Sequence, residues 1–188
     1  MENNDPNLPT NTLDEPVYMT LWRDAKMVGI KTFHVLVPTG KGSAYLVDWD
    51  LWGPLVYCFI FAMMLSLEGP DDQGSIIFTG TFAIIWLGAG FITINAKLLG
   101  GKCSFWQSLS VVGYCVFPMM VGSIMVFFWS NIIFRLIVVG VSLLWATWAT
   151  VGFFSGMSSG DKRALVVYPV LLFFMVLGWL VLIAPTGK

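Results

Sequence analysis

Charge is scarce in this chain. Of its 188 residues, 11% are Asp, Glu, Lys or Arg, and His34 is the single histidine. A soluble domain carries about 25% charged residues. With 57% hydrophobic residues and a mean hydropathy of +0.79, the composition excludes a globular domain with a large core and indicates a polytopic membrane protein. The net charge is −1, so nothing in the total points to nucleic acid. Cysteine is scarce too. Cys58, Cys103 and Cys115 form neither a CxxC pair nor an even framework. With His34 far from all of them, no metal or cofactor is expected. The motifs HExxH, GxSxG, Walker A and GxGxxG are all missing. No histidine lies in an apolar run to serve as a base, so the chain is read as non-enzymatic. The runs also lack the Asp, Glu, His and Lys that ion-coupled transporters carry. Asn-x-Ser/Thr sequons do not occur. The acidic, polar start MENNDPNLPTNTLDEP has no basic or apolar leader region, so the first apolar run is expected to double as the targeting signal.

Long apolar runs are abundant. They cover roughly 51–67, 76–95, 106–128, 132–154 and 164–184. A spanning helix needs about 20 mostly apolar residues. The expected fold is therefore an all-α, five-helix transmembrane bundle behind an N-terminal arm, residues 1–49. Residues 185–188 form a short tail. Residues 1–12 are rich in Asn, Pro and Thr and are expected to be disordered. From about residue 15 to 33, Val17, Leu21, Ala25 and Val28 recur at helical spacing, flanked by Tyr18 and Trp22. This predicts a short helix, either amphipathic and lying on the membrane surface or packed under the bundle, or else solvated with a modest apolar stripe.

The few cations set the orientation. Arg23, Lys26, Lys31 and Lys41 precede the first run. Lys97 and Lys102 lie between the second and third, and Lys162 and Arg163 between the fourth and fifth. Only Arg135 and Lys188 fall on the other side. The positive-inside rule then puts the N-terminus in the cytosol and the tail in the lumen. Arg135, one turn into the fourth run, is expected to snorkel to the interface.

Pro118 and Pro169 lie inside the third and fifth runs. Each removes a backbone donor and tends to kink a helix. Two bent spans with a cavity between them are expected. Gly80, Gly88, Gly90, Gly113, Gly122, Gly140 and Gly178 permit close helix approach. Trp52, Trp106, Trp129 and Trp179, near run ends, read as interfacial anchors. At the arm–membrane boundary stands Asp50-Leu51-Trp52-Gly53-Pro54. A carboxylate followed by proline in the first turn fits a capped helix start, and this chemistry needs no partner.

These residues resemble the Yip family of five-span Golgi and ER membrane proteins. Asp50-Leu51-Trp52-Gly53-Pro54 matches its DLYGP-like motif, with Trp52 in place of tyrosine, and Gly113-Tyr114 matches its GY pair. Leu13-Asp14-Glu15-Pro16-Val17, Lys97-Leu98-Leu99-Gly100-Gly101 and Tyr168-Pro169 are similar to the branch of Yip domain family member six and its yeast Yip-four-like counterparts. The resemblance implies a Golgi membrane location, a role in vesicle-mediated transport, binding of Rab-type GTPases and assembly with other Yip-family proteins. Homo- or hetero-oligomers are expected. The candidate partner-binding or structural motif is Asp50, Leu51, Trp52, Gly53, Pro54, Gly113 and Tyr114. Asp48, Lys97 and Lys102 are a candidate cytosolic surface. A lipid-handling or channel-like membrane protein is the alternative.

Overall fold

The structure, a computed structural model, describes residues 17–37, 51–70, 72–100, 104–129, 131–155 and 163–184. Among these residues there is no strand. The helices are α1 (Val17–Leu36), α2 (Trp52–Glu68), α3 (Gly74–Leu98), α4 (Phe105–Tyr114), α5 (Phe117–Phe128), α6 (Ile132–Ser155) and α7 (Arg163–Ile183). Three segments, Gly74–Leu98, Phe105–Phe128 and Ile132–Gly152, are long and apolar enough to cross a membrane, and Trp52–Glu68 and Val167–Ile183 are shorter apolar helices. The chain is a multi-pass membrane protein. Asp48, Asp50, Lys102 and the tail, residues 185–188, lie outside the described residues, as do residues 1–12.

Helices α2, α3, α7, α6 and α5 each pack on the next, and α5 returns to α2. The α4–α5 segment runs through the bundle and is its most buried part, with 67% of its apolar window inside the protein against 28% for α3 and 33% for α6. Val111, Val112, Tyr114, Cys115 and Val116 are fully buried. Close approach depends on small residues. A methyl group at Gly122 would lie 2.6 Å from Ser142 Oγ, and one at Gly178 3.1 Å from Val139 Cγ1. Gly80, Gly90 and Gly140 face open space instead. Ala146 and Thr150 are both buried within the bundle, where the Thr150 hydroxyl donates to the Ala146 carbonyl at 2.8 Å.

The two internal prolines behave differently. Pro118 offers no N–H to the Tyr114 carbonyl four residues back, and the helix breaks there into α4 and α5. Pro169 likewise has no N–H for the Leu165 carbonyl, yet α7 runs through it unbroken. That carbonyl accepts instead from Asn95 Nδ2 of α3, at 3.1 Å. A neighbouring helix thus re-satisfies the backbone group that proline orphans, which is how membrane helices tolerate proline. Asn95→Ala is expected to lower the stability of the purified protein by about 1 kcal/mol, the net worth of one hydrogen bond. Thermal unfolding in detergent micelles measures it, and an unchanged midpoint would remove this role from Asn95.

Of the two apolar runs expected to bend at proline, the third is interrupted and the fifth is continuous. A cavity of about 230 Å³ lies between α2, α3 and α7, lined by Leu65, Ile77, Thr81, Ile84 and Leu180 among others. It sits toward the end of the bundle where α2 stops, away from the proline break.

Candidate functional site: the helix interlock and the buried ion pair

The first turn of α2 holds the boundary motif. The first intrahelical bond runs from Leu55 N–H to the Leu51 carbonyl at 3.0 Å. Pro54 therefore sits where its missing N–H costs nothing. Leu51 is the N-cap residue and provides no side-chain cap. Trp52 is 76% exposed, whereas Gly53 and Pro54 are buried.

What buries them is the second motif. A methyl group at Gly53 would meet Tyr114 Oη at 2.6 Å, and one at Gly113 would press into the Pro54 ring, inside the 3.0 Å below which something must shift. The two pairs interlock reciprocally. Glycine of α2 receives the tyrosine of α4, and glycine of α4 receives the proline of α2. The chain brings Gly53, Pro54, Gly113 and Tyr114 into one contact, although sixty residues separate the two glycines. In the sequence they stand as separate motifs, and nothing local predicts that they meet.

The interlock extends to α1. The Tyr57 ring lies edge-on to Tyr114 at 6.0 Å and to Phe117 at 5.1 Å. Its hydroxyl is 2.7 Å from Thr32 Oγ1, which also donates to the Val28 carbonyl at 2.7 Å. Farther along α1, the Leu36 carbonyl accepts from Trp145 Nε1 of α6 at 3.2 Å, which satisfies one of the last-turn carbonyls a helix end leaves open. Val35 and Leu36 are buried, with Val28 half-buried beside them. One face of α1 thus packs on the bundle, while Tyr18 and Trp22 stay exposed. At the same end of the bundle, Lys97 is exposed in the last turn of α3, where a cation complements the helix dipole.

At the opposite end the structure corrects the expectation for Arg135. Arg135 does not snorkel outward. It is 1% exposed, and its guanidinium donates to the Glu68 carboxylate of α2 and to the carbonyl of Ala184, just past the end of α7. Three chain segments are tied through one side chain. The physical reason is that water is not within reach of a side chain pointing into the bundle, and a charge buried there must be paired. The signal was available: Glu68 ends the first apolar run, and Arg135 is the lone cation among the runs.

Among the described residues, no group of three or more His, Cys, Asp or Glu could hold a metal. The arrangement offers packing, an ion pair and an apolar cavity.

Residues 33–180 match the family model described as the Yip1 domain. The chain is 43% identical to "Protein YIPF6 homolog" of Dictyostelium discoideum, over 92% of this chain and 96% of that one. It is 43% identical to "Protein YIPF6" of Homo sapiens, over 92% of this chain and 77% of that one. It is 36% identical to "Protein YIP4" of Schizosaccharomyces pombe, over 91% of this chain and 75% of that one. No solved structure gives a significant match.

Proposed function

We propose, from the premise that this chain belongs to the Yip1-domain family in its YIPF6- and Yip4-like branch, that it is a non-enzymatic Golgi and ER membrane protein acting in vesicle-mediated transport. It spans the membrane five times, with a cytosolic N-terminus and a lumenal tail. Its partners are Rab-type GTPases and other Yip-family proteins. The observation that carries this reading is the family match across residues 33–180. The placement of eight of the ten Lys and Arg residues at one side supports the orientation through the positive-inside rule.

The geometry divides the boundary motif by task. Gly53 and Pro54 are occupied by α4 and serve to hold α2 in place. Trp52 is exposed and is available to the membrane-inserted part of a partner on the cytosolic side. Tyrosine at this position would add a hydroxyl, so a partner that reads this chain reads the indole.

Crosslinking pull-down of the full chain from native membranes tests the proposal. Wild type is expected to recover Rab-type GTPases and Yip-family proteins. Trp52→Ala, at equal abundance and unchanged localisation, is expected to recover several-fold less GTPase. Recovery of neither class by wild type would overturn the reading.

The apolar cavity between α2, α3 and α7 favours a second reading, lipid handling. Purified protein in liposomes would then accelerate lipid exchange between leaflets. If it does not, the cavity belongs to packing.

A further inference from the structure

Helix α2 is short. Its 17 residues rise about 25 Å at about 1.5 Å each, whereas the 25 residues of α3 rise about 37 Å. Both have one end near the Arg135–Glu68 pair, where Ser66 Oγ donates to the Gly74 carbonyl at 2.7 Å. The shortfall therefore lies at the Lys97 end. The interlock gives the same result independently. Gly53 meets Tyr114, nine residues into α4, so α2 starts about 14 Å short of the Phe105 end.

Helix α1 occupies that level. Its Thr32 touches Tyr57, which is eleven residues from Glu68 along α2, or about 16 Å. Its Leu36 touches Trp145, ten residues from Arg135 along α6, or about 15 Å. The hydrocarbon layer is about 30 Å thick. The C-terminal turns of α1 thus reach the middle of the apolar layer, too deep for a helix resting on the headgroups.

A helix at that depth must meet lipid on whatever face the bundle leaves uncovered. At about 100° per residue, Val28, Thr32 and Val35 form the face that packs on the bundle. Tyr18, Trp22, Ile30 and Phe33 fall on a second face about 130° away, and they are 69%, 74%, 46% and 65% exposed. Lys26 is the one cation on that face, and its long stem lets the ammonium reach the headgroups. Arg23, Asp24, Lys31 and His34 occupy the remaining arc. The deepest members of the exposed face, Ile30 and Phe33, are purely apolar. The shallower Tyr18 and Trp22 are the amphipathic aromatics that favour the interface.

We propose that α1 is embedded obliquely in the leaflet at the Lys97 end, with its Tyr18–Trp22–Ile30–Phe33 face against lipid acyl chains and headgroups, filling the layer that short α2 leaves open. The occupant of that face is lipid, and neither a second copy nor a soluble partner is needed to cover it. The inference does not depend on Rab binding or on which side is cytosolic.

Nitroxide labels test it in the full chain, reconstituted as one copy per nanodisc. Labels are attached in separate samples at Phe33→Cys, Trp22→Cys and Asp24→Cys. Cys103 is replaced by serine, and Cys58 and Cys115 stay, since both are buried and hence inert to the reagent. Collisions with dissolved oxygen report acyl chains, and collisions with a water-soluble nickel chelate report solvent. The expected result is oxygen exceeding nickel by several-fold at Phe33, a smaller excess at Trp22, and nickel dominant at Asp24. Nickel dominant at Phe33 would mean the face meets water or waits for a partner, and would overturn the proposal. A Phe33 label shielded from both reagents would mean that protein covers it, which also overturns it.

Discussion

Replacing Arg135 with leucine is expected to cost about 3–5 kcal/mol, the range for removing one partner of a buried ion pair. The loss has two parts. Glu68 keeps a carboxylate whose side chain is only 8% exposed, with nothing to balance it. The Ala184 carbonyl also loses its donor. Glu68→Leu alone strands the guanidinium and should cost a similar amount. The double variant Arg135→Leu, Glu68→Leu should recover most of the loss, because an apolar pair in the same volume carries no desolvation penalty. Thermal unfolding of the four proteins in micelles reads this directly. If the double variant is as unstable as the sum of the single ones, the two charges are not acting on each other.

The second large effect is steric. Gly113→Leu puts a branched side chain where the Pro54 ring already sits, and Gly53→Leu does the same against Tyr114. Overpacking a filled site costs about 1–3 kcal/mol and occasionally more. Both sites oppose a ring, which cannot swing away like the end of a flexible chain, so about 3 kcal/mol is expected for each. Because Tyr57 rests on Tyr114 and holds Thr32 of α1, displacement should spread to the arm. Faster backbone hydrogen exchange in α1 of the Gly113→Leu protein is the accompanying result. Gly90→Leu is the control. Nothing lies within 4 Å of a methyl group there, and its stability change should reflect helix propensity and lipid contact, with no steric penalty.

Much of this architecture is legible in the amino-acid pattern. Apolar runs announce helices because a backbone in lipid must satisfy its own hydrogen bonds, and Pro118 announces the break between α4 and α5 because it has no N–H. What stays hidden depends on contacts between distant segments. Pro169 carries the same local signal as Pro118, yet α7 continues through it because Asn95 of α3 answers the orphaned Leu165 carbonyl. Arg135 reads as a snorkelling residue until Glu68 and Ala184 are seen beside it. The amphipathic stripe of α1 offers a choice between environments, and contacts from distant helices show which face packs on the bundle and which stays exposed. The two short motifs were legible as motifs. That each supplies the glycine the other needs was not, because pairing across sixty residues leaves no periodic trace.

The interlock is the centre of this account, since it fixes where α2 begins, what holds α1 and which motif residue remains outside. A double-mutant cycle on Gly53 and Tyr114 tests it most directly. Gly53→Ala should destabilise by forcing a methyl group against the tyrosine ring. Tyr114→Leu should destabilise by vacating a buried site. Together they should be less damaging than their sum, with a coupling of about 1–3 kcal/mol, because the shortened side chain makes room for the methyl group. Strict additivity in thermal unfolding would show that Gly53 and Tyr114 do not touch, and would contradict the account.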